Sequence, residues 1–187
     1  MPRPFEISIK PLTPAAFLPF GQVIGASDQA PDYTADLLRG WHLDYEAEGE
    51  TIVLFIHYEQ GPLECDSLER HFKVTQTFVA LADAPSVMVV AAPTVGSALP
   101  CLEDVRAFYV PGACGIMLWK ATWHALTRFP LRPSGATFAF LSERRTQREL
   151  EAAQKGGAVP TLTEKIELSV LYGSSLRFVD PDGLLKV

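Results

Sequence analysis

The stretch LERHFKVTQTFVAL, residues 68–81, sets charged and polar side chains beside a strand-like apolar segment. Side chains two residues apart on a strand point to the same face, so Glu69 and His71 are expected to face one cavity. Gln76 follows five residues after His71, and a bulge or turn between the two would bring it to the same face. The stretch therefore predicts a half-buried strand that presents a carboxylate, an imidazole and a carboxamide to the interior.

On either side of this stretch, the sequence predicts many short strands and little helix. The strands are predicted at 5–10, 37–45, 51–58, 72–81, 86–91, 106–110, 114–119, 122–128, 136–142 and 163–171. The helices are predicted at 13–18 and 143–155. This content indicates an all-β sandwich or small barrel, a fold that can hold one small ligand in its mouth. We expect one domain over residues 1–187, a length that supports a sizeable core.

Composition and charge exclude several classes of partner. The net charge of −6 argues against binding to nucleic acid or to an anionic membrane. Residues 78–102 are strongly apolar, but prolines interrupt them, so we expect two buried strands rather than a membrane span. We also expect no targeting segment at the N-terminus. Cys65, Cys101 and Cys114 form no CxxC pair, which favours reduced thiols in a cytoplasmic protein.

A second group of polar residues lies downstream, where Pro111-Gly112 marks a turn and His124 sits in a predicted strand between apolar neighbours. A carboxylate, a carboxamide and two imidazoles form a plausible nitrogen and oxygen site for manganese, iron, nickel or zinc. The candidate ligands are Glu69, His71, Gln76 and His124. The alternative stays open, because a lone histidine on an apolar face is commonly a hydrogen-bonded core residue.

Two segments resemble the sequence motifs of the cupin superfamily. The pattern Glu69-x-His71-x4-Gln76 is similar to the first motif, His-x-His-x4-Glu, with a Glu at its first His and a Gln at its Glu. The run from the VPG turn at 110–112 to His124 is similar to the second motif, a Pro-Gly turn before a lone His. This resemblance implies a cupin-type β-barrel, a jelly-roll sandwich with one or two peripheral helices.

Five segments, in the same order along the chain, resemble the ureidoglycolate lyase family. They are IKPLTPAAFLPFGQVI (9–24), LERHFKVTQTFVAL (68–81), VVAAP (89–93), VRAFYVPGACGI (105–116) and WHAL (123–126). The resemblance implies an enzyme that splits ureidoglycolate into glyoxylate and urea in allantoin degradation. It also implies a divalent metal and a homodimer.

The resemblance further implies roles for individual residues. The metal, nickel, manganese or zinc, is expected to bind Glu69, His71, Gln76 and His124. Either Glu69 or His124 is expected to take the hydroxyl proton of the substrate. Arg70, Arg106 or Lys120 is expected to pair with the substrate carboxylate. Because adjacent strand residues point to opposite faces, Arg70 is equally expected to form a surface salt bridge instead of binding the substrate.

The chain departs from the family at positions expected to line the pocket. Family members tend to carry Tyr-His before the Trp-His pair and a second His after it, where this chain has Leu118, Trp119 and Ala125. The absent imidazoles leave two alternatives to the lyase. One is a non-catalytic cupin that binds a small carboxylate, and the other is a diverged cupin enzyme, such as an isomerase or dioxygenase, with another small hydroxy acid as substrate.

Overall fold

Strands dominate residues 3–185, the part of the chain that the computed structural model describes. The strands β1 to β15 are, in order, Phe5–Pro11, Gly21–Ile24, Tyr33–Ala35, Leu38–Gly40, Thr51–Tyr58, Glu64–Cys65, Ser67–His71, Thr77–Ala80, Ser86–Ala91, Arg106–Val110, Gly115–Leu118, Trp123–Ala125, Ala136–Glu143, Thr163–Glu167 and Leu176–Val179. The helices α1 to α3 are Pro14–Phe17, Arg144–Gln154 and Leu168–Tyr172, and a short 3-10 helix covers Leu102–Asp104. This content confirms the predicted all-β, cupin-type fold with peripheral helices.

Two large sheets share one apolar core between them. The larger sheet has the strand order β14-β7-β12-β9-β10-β1-β15-β6, and the smaller sheet has the order β2-β11-β8-β13-β5. Both contribute to this inner core, with Met88 from the larger sheet and Phe78 and Phe140 from the smaller. The rings of Phe78 and Phe140 lie 4.7 Å apart. Burial of each such side chain contributes about 1.5–3 kcal/mol relative to exposure, which holds the two sheets together.

A second core covers the opposite face of the larger sheet, so its central strand β9 is buried on both sides. Met88 and Val90 of β9 belong to the inner core, whereas Val87 and Val89 belong to the outer one. A strand buried on both faces is apolar throughout, which explains the uninterrupted run SVMVVA. The neighbouring strands share this division, and Trp123 of β12 points to the outer core.

The strand register brings the polar residues of the opening stretch close to His124. Strand β12 pairs with both β7 and β9, so His124 lies opposite Glu69 on one side and Val90 on the other. Strand β14 pairs with the outer edge of β7 and sets Thr163 opposite His71. Since Trp123 faces the outer core, alternation along the strand turns His124 to the inner face.

Most predicted elements are confirmed. The strands predicted at 51–58, 86–91 and 106–110 coincide with β5, β9 and β10. Helix α1 begins as predicted, with Thr13 Oγ1 accepting a hydrogen bond from the backbone N–H of Ala16. Helix α2 also lies where the sequence predicted it, and all three cysteines are free thiols. No helix of the described residues combines the length and the apolar character needed to cross a bilayer.

Four predicted strands are wrong in extent, and one of them is 122–128, where β12 covers only Trp123–Ala125. In place of a strand at 37–45, β3 and β4 form a small exposed hairpin, and residues 41–45 are not a strand. Residues 72–76 connect β7 to β8 instead of beginning a strand, so the predicted strand at 72–81 starts only at β8. The strand predicted at 163–171 ends where α3 begins, because the Asp66 carboxylate accepts hydrogen bonds from the backbone N–H and hydroxyl of Ser169. Strands β2, β3, β6 and β15 were not among the predicted strands, and β7 lies just before the strand predicted at 72–81.

Candidate metal centre

Three of the four candidate ligands lie together on the inner face of the larger sheet. Glu69 and His71 share one face of β7, and His124 reaches them from the paired strand β12. Their potential ligand atoms all lie within 4.8 Å of one another. The donors of one zinc ion lie about 2 Å from it, hence at most about 4 Å apart, so small side-chain movements would close the site.

Each imidazole is held through Nδ1, which leaves Nε2 facing the cluster. His71 Nδ1 is hydrogen-bonded to Thr163 Oγ1 at 2.8 Å, and His124 Nδ1 lies 3.0 Å from the carbonyl oxygen of Ala125. That carbonyl only accepts, and its contact is shorter than the 3.4 Å contact between Nδ1 and the donor Arg128 Nη2, which favours the tautomer with the proton on Nδ1 and the lone pair on Nε2. The Nε2 atoms of both histidines are buried and have no hydrogen-bond partner in the described chain. This arrangement orients an imidazole for metal ligation.

The charge state of the cluster also suits a cation. Burial and the adjacent Arg128 lower the pKa of His124 to about 3, so its imidazole is neutral at pH 7. Burial raises the pKa of Glu69, but the contact with His71, the adjacent His124 and, to a smaller extent, the charge of Arg128 outweigh it and lower that pKa to about 2. The cluster therefore holds a carboxylate and a neutral imidazole at pH 7, the ionisation states that metal ligation requires.

Gln76, the fourth candidate, directly precedes β8 in the smaller sheet. Its side-chain Oε1 is also buried without a hydrogen-bond partner among the described residues. Its backbone carbonyl accepts a hydrogen bond of 2.8 Å from the N–H of Leu118, which anchors this position. A buried polar atom left unsatisfied costs about 1–3 kcal/mol. Two such atoms, on His71 and His124, belong to the cluster and fit a site that a divalent metal would complete.

Sequence reasoning missed Arg128, a buried cation beside the cluster. Its side chain is 3 % exposed, and its Nη2 lies 3.4 Å from His124 Nδ1. The guanidinium stacks on Phe78, with 4.0 Å between Cζ and the ring centroid, and lies 5.8 Å from the centroid of Tyr58. A sequence signal existed, since Arg128 is a charged residue four positions after His124 at the end of a predicted strand.

Arg70 lies on the opposite face of β7 from the cluster. It is 1 % exposed, donates to the Glu164 carboxylate and to the carbonyl oxygens of Thr94 and Gly96, and stacks at 4.4 Å on Trp123. The salt bridge expected as the alternative is present, with Glu164, but the guanidinium is buried rather than on the surface. From the opposite face, it fixes β7 at the position between Glu69 and His71 in the sequence.

Lys120 and Arg106, the other two cations expected to bind the substrate carboxylate, also lie away from the cluster. Lys120 Nζ pairs with Glu46 at 2.6 Å and with Glu48 at 3.5 Å. Arg106 is exposed and donates to the carbonyl oxygen of Val105. The register puts Arg106 in one row with Val90 and His124, so it lies two strands, or about 10 Å, from His124.

The three residues that depart from the family pattern occupy different surroundings. Leu118 is buried in the inner core, and Trp119 donates its indole N–H to the carbonyl oxygen of Leu18 at 2.8 Å. Ala125 belongs to the outer core, on the face of β12 opposite His124. A side chain at position 125 therefore points away from the cluster, and its change to alanine leaves the three ligands in place.

Comparison with known proteins identifies relatives over most of the chain. The sequence profile of the family described as Ureidoglycolate lyase matches residues 5–157. A protein of Burkholderia mallei named ureidoglycolate lyase is 36% identical over 126 residues, which cover 63% of this chain and 72% of the relative. Proteins with the same name are 34% identical in Azotobacter vinelandii, over 63% of this chain and 74% of the relative, and 29% identical in Rhizobium etli, over 74% and 83%.

Proposed function

Because the chain belongs to the ureidoglycolate lyase family, we propose that it is a carbon–nitrogen lyase that splits ureidoglycolate into glyoxylate and urea. One observation carries the proposal: the matched residues 5–157 contain the convergent cluster of Glu69, His71 and His124. The cluster offers a carboxylate and two imidazoles on the inner face of a cupin-type barrel. A small 2-hydroxy acid requires groups of this kind at its hydroxyl and carboxylate oxygens.

The proposed reaction moves one proton within the substrate. Ureidoglycolate is a hemiaminal, whose reacting carbon bears a hydroxyl, a ureido nitrogen and a carboxylate. The hydroxyl proton passes to the ureido nitrogen as the C–N bond breaks and the C=O of glyoxylate forms, so no proton is gained or lost overall. Glu69, whose side chain is 15 % exposed, is the first candidate to carry this proton, and His124, with its free Nε2, is the second.

We propose that Glu69, His71, His124 and Gln76 bind a divalent metal, namely nickel, manganese or zinc. The support is the set of buried ligand atoms that have no partner in the described chain. Such a metal, when bound, would polarise the hydroxyl and carboxylate oxygens of the substrate. The protein contributes the orientation of both imidazoles, which Thr163 and the Ala125 carbonyl hold through Nδ1.

Among the cations expected to bind the substrate carboxylate, Arg106 keeps the best support. It shares the inner face with His124, and it forms no ion pair within the described residues, whereas Arg70 and Lys120 are both paired with glutamates. Arg106 also borders a groove of about 650 Å³. We propose it as a group at the approach to the site, about 10 Å from His124.

The lyase proposal predicts urea release by the wild-type protein. Protein purified without an affinity tag is expected to contain a divalent metal by mass spectrometry and to release urea from ureidoglycolate above the spontaneous rate. Chelation is expected to abolish the reaction, and nickel, manganese or zinc to restore it. If none of these metals supports urea release, the lyase proposal is wrong, and a protein that still binds glyoxylate or oxalate would be a non-catalytic carboxylate binder.

We propose a homodimer that forms through β5, the edge strand of the smaller sheet. The strand alternates half-buried and exposed residues, and its exposed face carries Val53, 70% exposed, and Phe55, 74% exposed. Open strand edges with apolar side chains associate with other strands unless they are covered. A second copy of the chain would cover both the open strand edge and the exposed apolar side chains.

The dimer proposal predicts a change of mass in solution. Light scattering at micromolar concentration is expected to report a dimer for the wild type and a monomer for Phe55→Lys, since a charge on the apolar face prevents its burial. Leu171→Lys, at another exposed apolar site, is the control and should remain dimeric. A monomeric wild type would reject the proposal.

We further propose that residues 1–187 form one domain and that the protein acts in the cytoplasm. The single domain is supported by β14 and β15, which the C-terminal part of the chain adds to the larger sheet. The location is supported by the three free thiols, which are typical of a reducing compartment.

A further inference from the structure

We propose that Arg128 binds the carboxylate group of the substrate through the Nε and Nη2 edge of its guanidinium. The inference rests on the proposed lyase function only for the identity of the substrate. The site itself follows from the position of Arg128 beside His124, and its chemical class of ligand is a small 2-oxo or 2-hydroxy carboxylate.

Arg128 is a buried charge with no anion in direct contact. It is 3 % exposed, and within residues 3–185 no carboxylate oxygen lies within ion-pair distance of it, so the Glu69 carboxylate acts on it only from farther away. Arginine stays protonated in proteins, and a buried charge without a close partner is costly. Arg70, the other fully buried arginine, shows the usual solution, because it pairs with Glu164. A bound anion would do the same for Arg128.

The hydrogen bonds of Arg128 leave one edge of its guanidinium free. Nη1 donates to the carbonyl oxygens of Ala125, at 2.6 Å, and Thr127, at 3.1 Å. Nη2 lies 3.4 Å from His124 Nδ1, but that nitrogen donates its own proton to Ala125 and has no lone pair to accept another. Nε is buried with no partner in the described part of the chain. Nε and Nη2 form the two-pronged edge that matches the two oxygens of a carboxylate.

The free edge lies beside His124, which belongs to the cluster. Only the imidazole ring of His124 separates Arg128, near its Nδ1, from the cluster, which meets its Nε2. In ureidoglycolate the carboxylate is bonded directly to the reacting carbon. A molecule whose carboxylate binds Arg128 therefore presents its hydroxyl and ureido groups to Glu69 and the two histidines.

Aromatic side chains fix the plane of the guanidinium. Phe78 lies under it at 4.0 Å and Tyr58 at 5.8 Å, measured from Cζ to the ring centroids. Stacking of this kind is specific to a planar cation and orients both donors together. Lysine at this position would keep the charge but lose the two-pronged contact, so it should not replace Arg128 in binding.

Arg128 also has a structural contact, which any test must separate from binding. Its Nη1 holds two carbonyl groups of the turn that follows β12, next to Phe129, whose φ is 40°. Loss of Arg128 is therefore expected to lower stability as well. A readout that compares a carboxylate ligand with a neutral one is insensitive to that loss, because the two ligands are measured on the same folded variant.

The test uses Arg128→Lys and measures binding of glyoxylate and of glyoxylamide, its neutral amide, by calorimetry at a temperature where the variant is folded. We expect the preference of the wild type for glyoxylate over glyoxylamide to fall at least tenfold, and the KM for ureidoglycolate to rise more than kcat falls. Metal content should not change. Arg132→Lys, a surface arginine paired with Asp83, is the control and should keep the wild-type preference.

An unchanged preference in folded Arg128→Lys would overturn the proposal, and so would a wild type that binds neither glyoxylate nor ureidoglycolate. If the wild type binds glyoxylate but releases no urea, the lyase proposal fails while the role of Arg128 is still decided by the binding data. If Arg128→Lys does not fold, glyoxylate is titrated into wild-type protein labelled with ¹⁵N-arginine. A buried Nε–H resonance must then shift on binding, and the absence of a shift would reject the proposal.

Discussion

Replacement of His124 by alanine is expected to lower the rate of urea release at least about 100-fold, the usual effect of losing a proton-transfer group. The variant loses the Nε2 atom that faces Glu69 and His71, and with it one of three convergent ligand atoms. Metal content per chain, measured after purification without an affinity tag, is expected to fall in parallel. His71→Ala is expected to behave alike, since its Nε2 faces the same cluster.

The matched control for these variants is His42→Ala. His42 has a side chain that is 76% exposed and paired with Asp32, and it follows β4, whose hairpin is separate from the sheet that contains β7 and β12. Its loss should leave both urea release and metal content at the wild-type level. A His124→Ala protein that is folded by circular dichroism and retains more than a third of the wild-type rate would contradict the proposed role of the cluster.

Replacement of Arg70 by methionine is expected to lower the free energy of unfolding by about 3–5 kcal/mol. The guanidinium joins Glu164 of β14 to two carbonyl oxygens of the loop after β9, and it packs between Phe72 and Trp123. Methionine retains the apolar volume but leaves these acceptors unsatisfied. Unfolding in denaturant, followed by tryptophan fluorescence and circular dichroism, measures the change.

The control for Arg70 is Arg177→Met on the surface. Arg177 also pairs with a glutamate, Glu64, but its side chain is 48% exposed, and such pairs contribute about 1 kcal/mol or less. A loss of under about 1 kcal/mol for Arg70→Met as well would show that the buried network does not stabilise the larger sheet. Reduced metal binding in folded Arg70→Met protein would indicate that the network also holds Glu69 and His71 in position.

Local sequence patterns predicted the elements whose burial alternates regularly. In β5 and β13 every second side chain faces the inner core, and in β9 both faces are buried, so the period or the apolar run identifies the strand. The start of α1 is equally local, since Thr13 and Pro14 act within one turn. The strand predicted at 37–45 was wrong because the β3–β4 hairpin is exposed. No core there selects an alternation of apolar and polar residues.

The sequence by itself also determined part of the candidate site. Glu69 and His71 are two residues apart on one strand, so their common face follows from the geometry of any strand. His124 was a candidate from its position between apolar neighbours, and the resemblance to the cupin motifs supported it, but only the pairing of β12 with β7 sets it opposite Glu69. That pairing depends on more than fifty intervening residues, and no short pattern encodes it.

Tertiary structure alone decided which cation accompanies the site. The sequence offers four cations that could accompany the site: Arg70, Arg106, Lys120 and Arg128. A strand pattern indicates only which face of a sheet each of them occupies. Packing against Trp123 and Glu164 turns Arg70 into a structural contact, while the turn after β12 folds Arg128 against Phe78 and His124. Burial of a charge depends on contacts between distant segments, which is why its position could be found only in the folded chain.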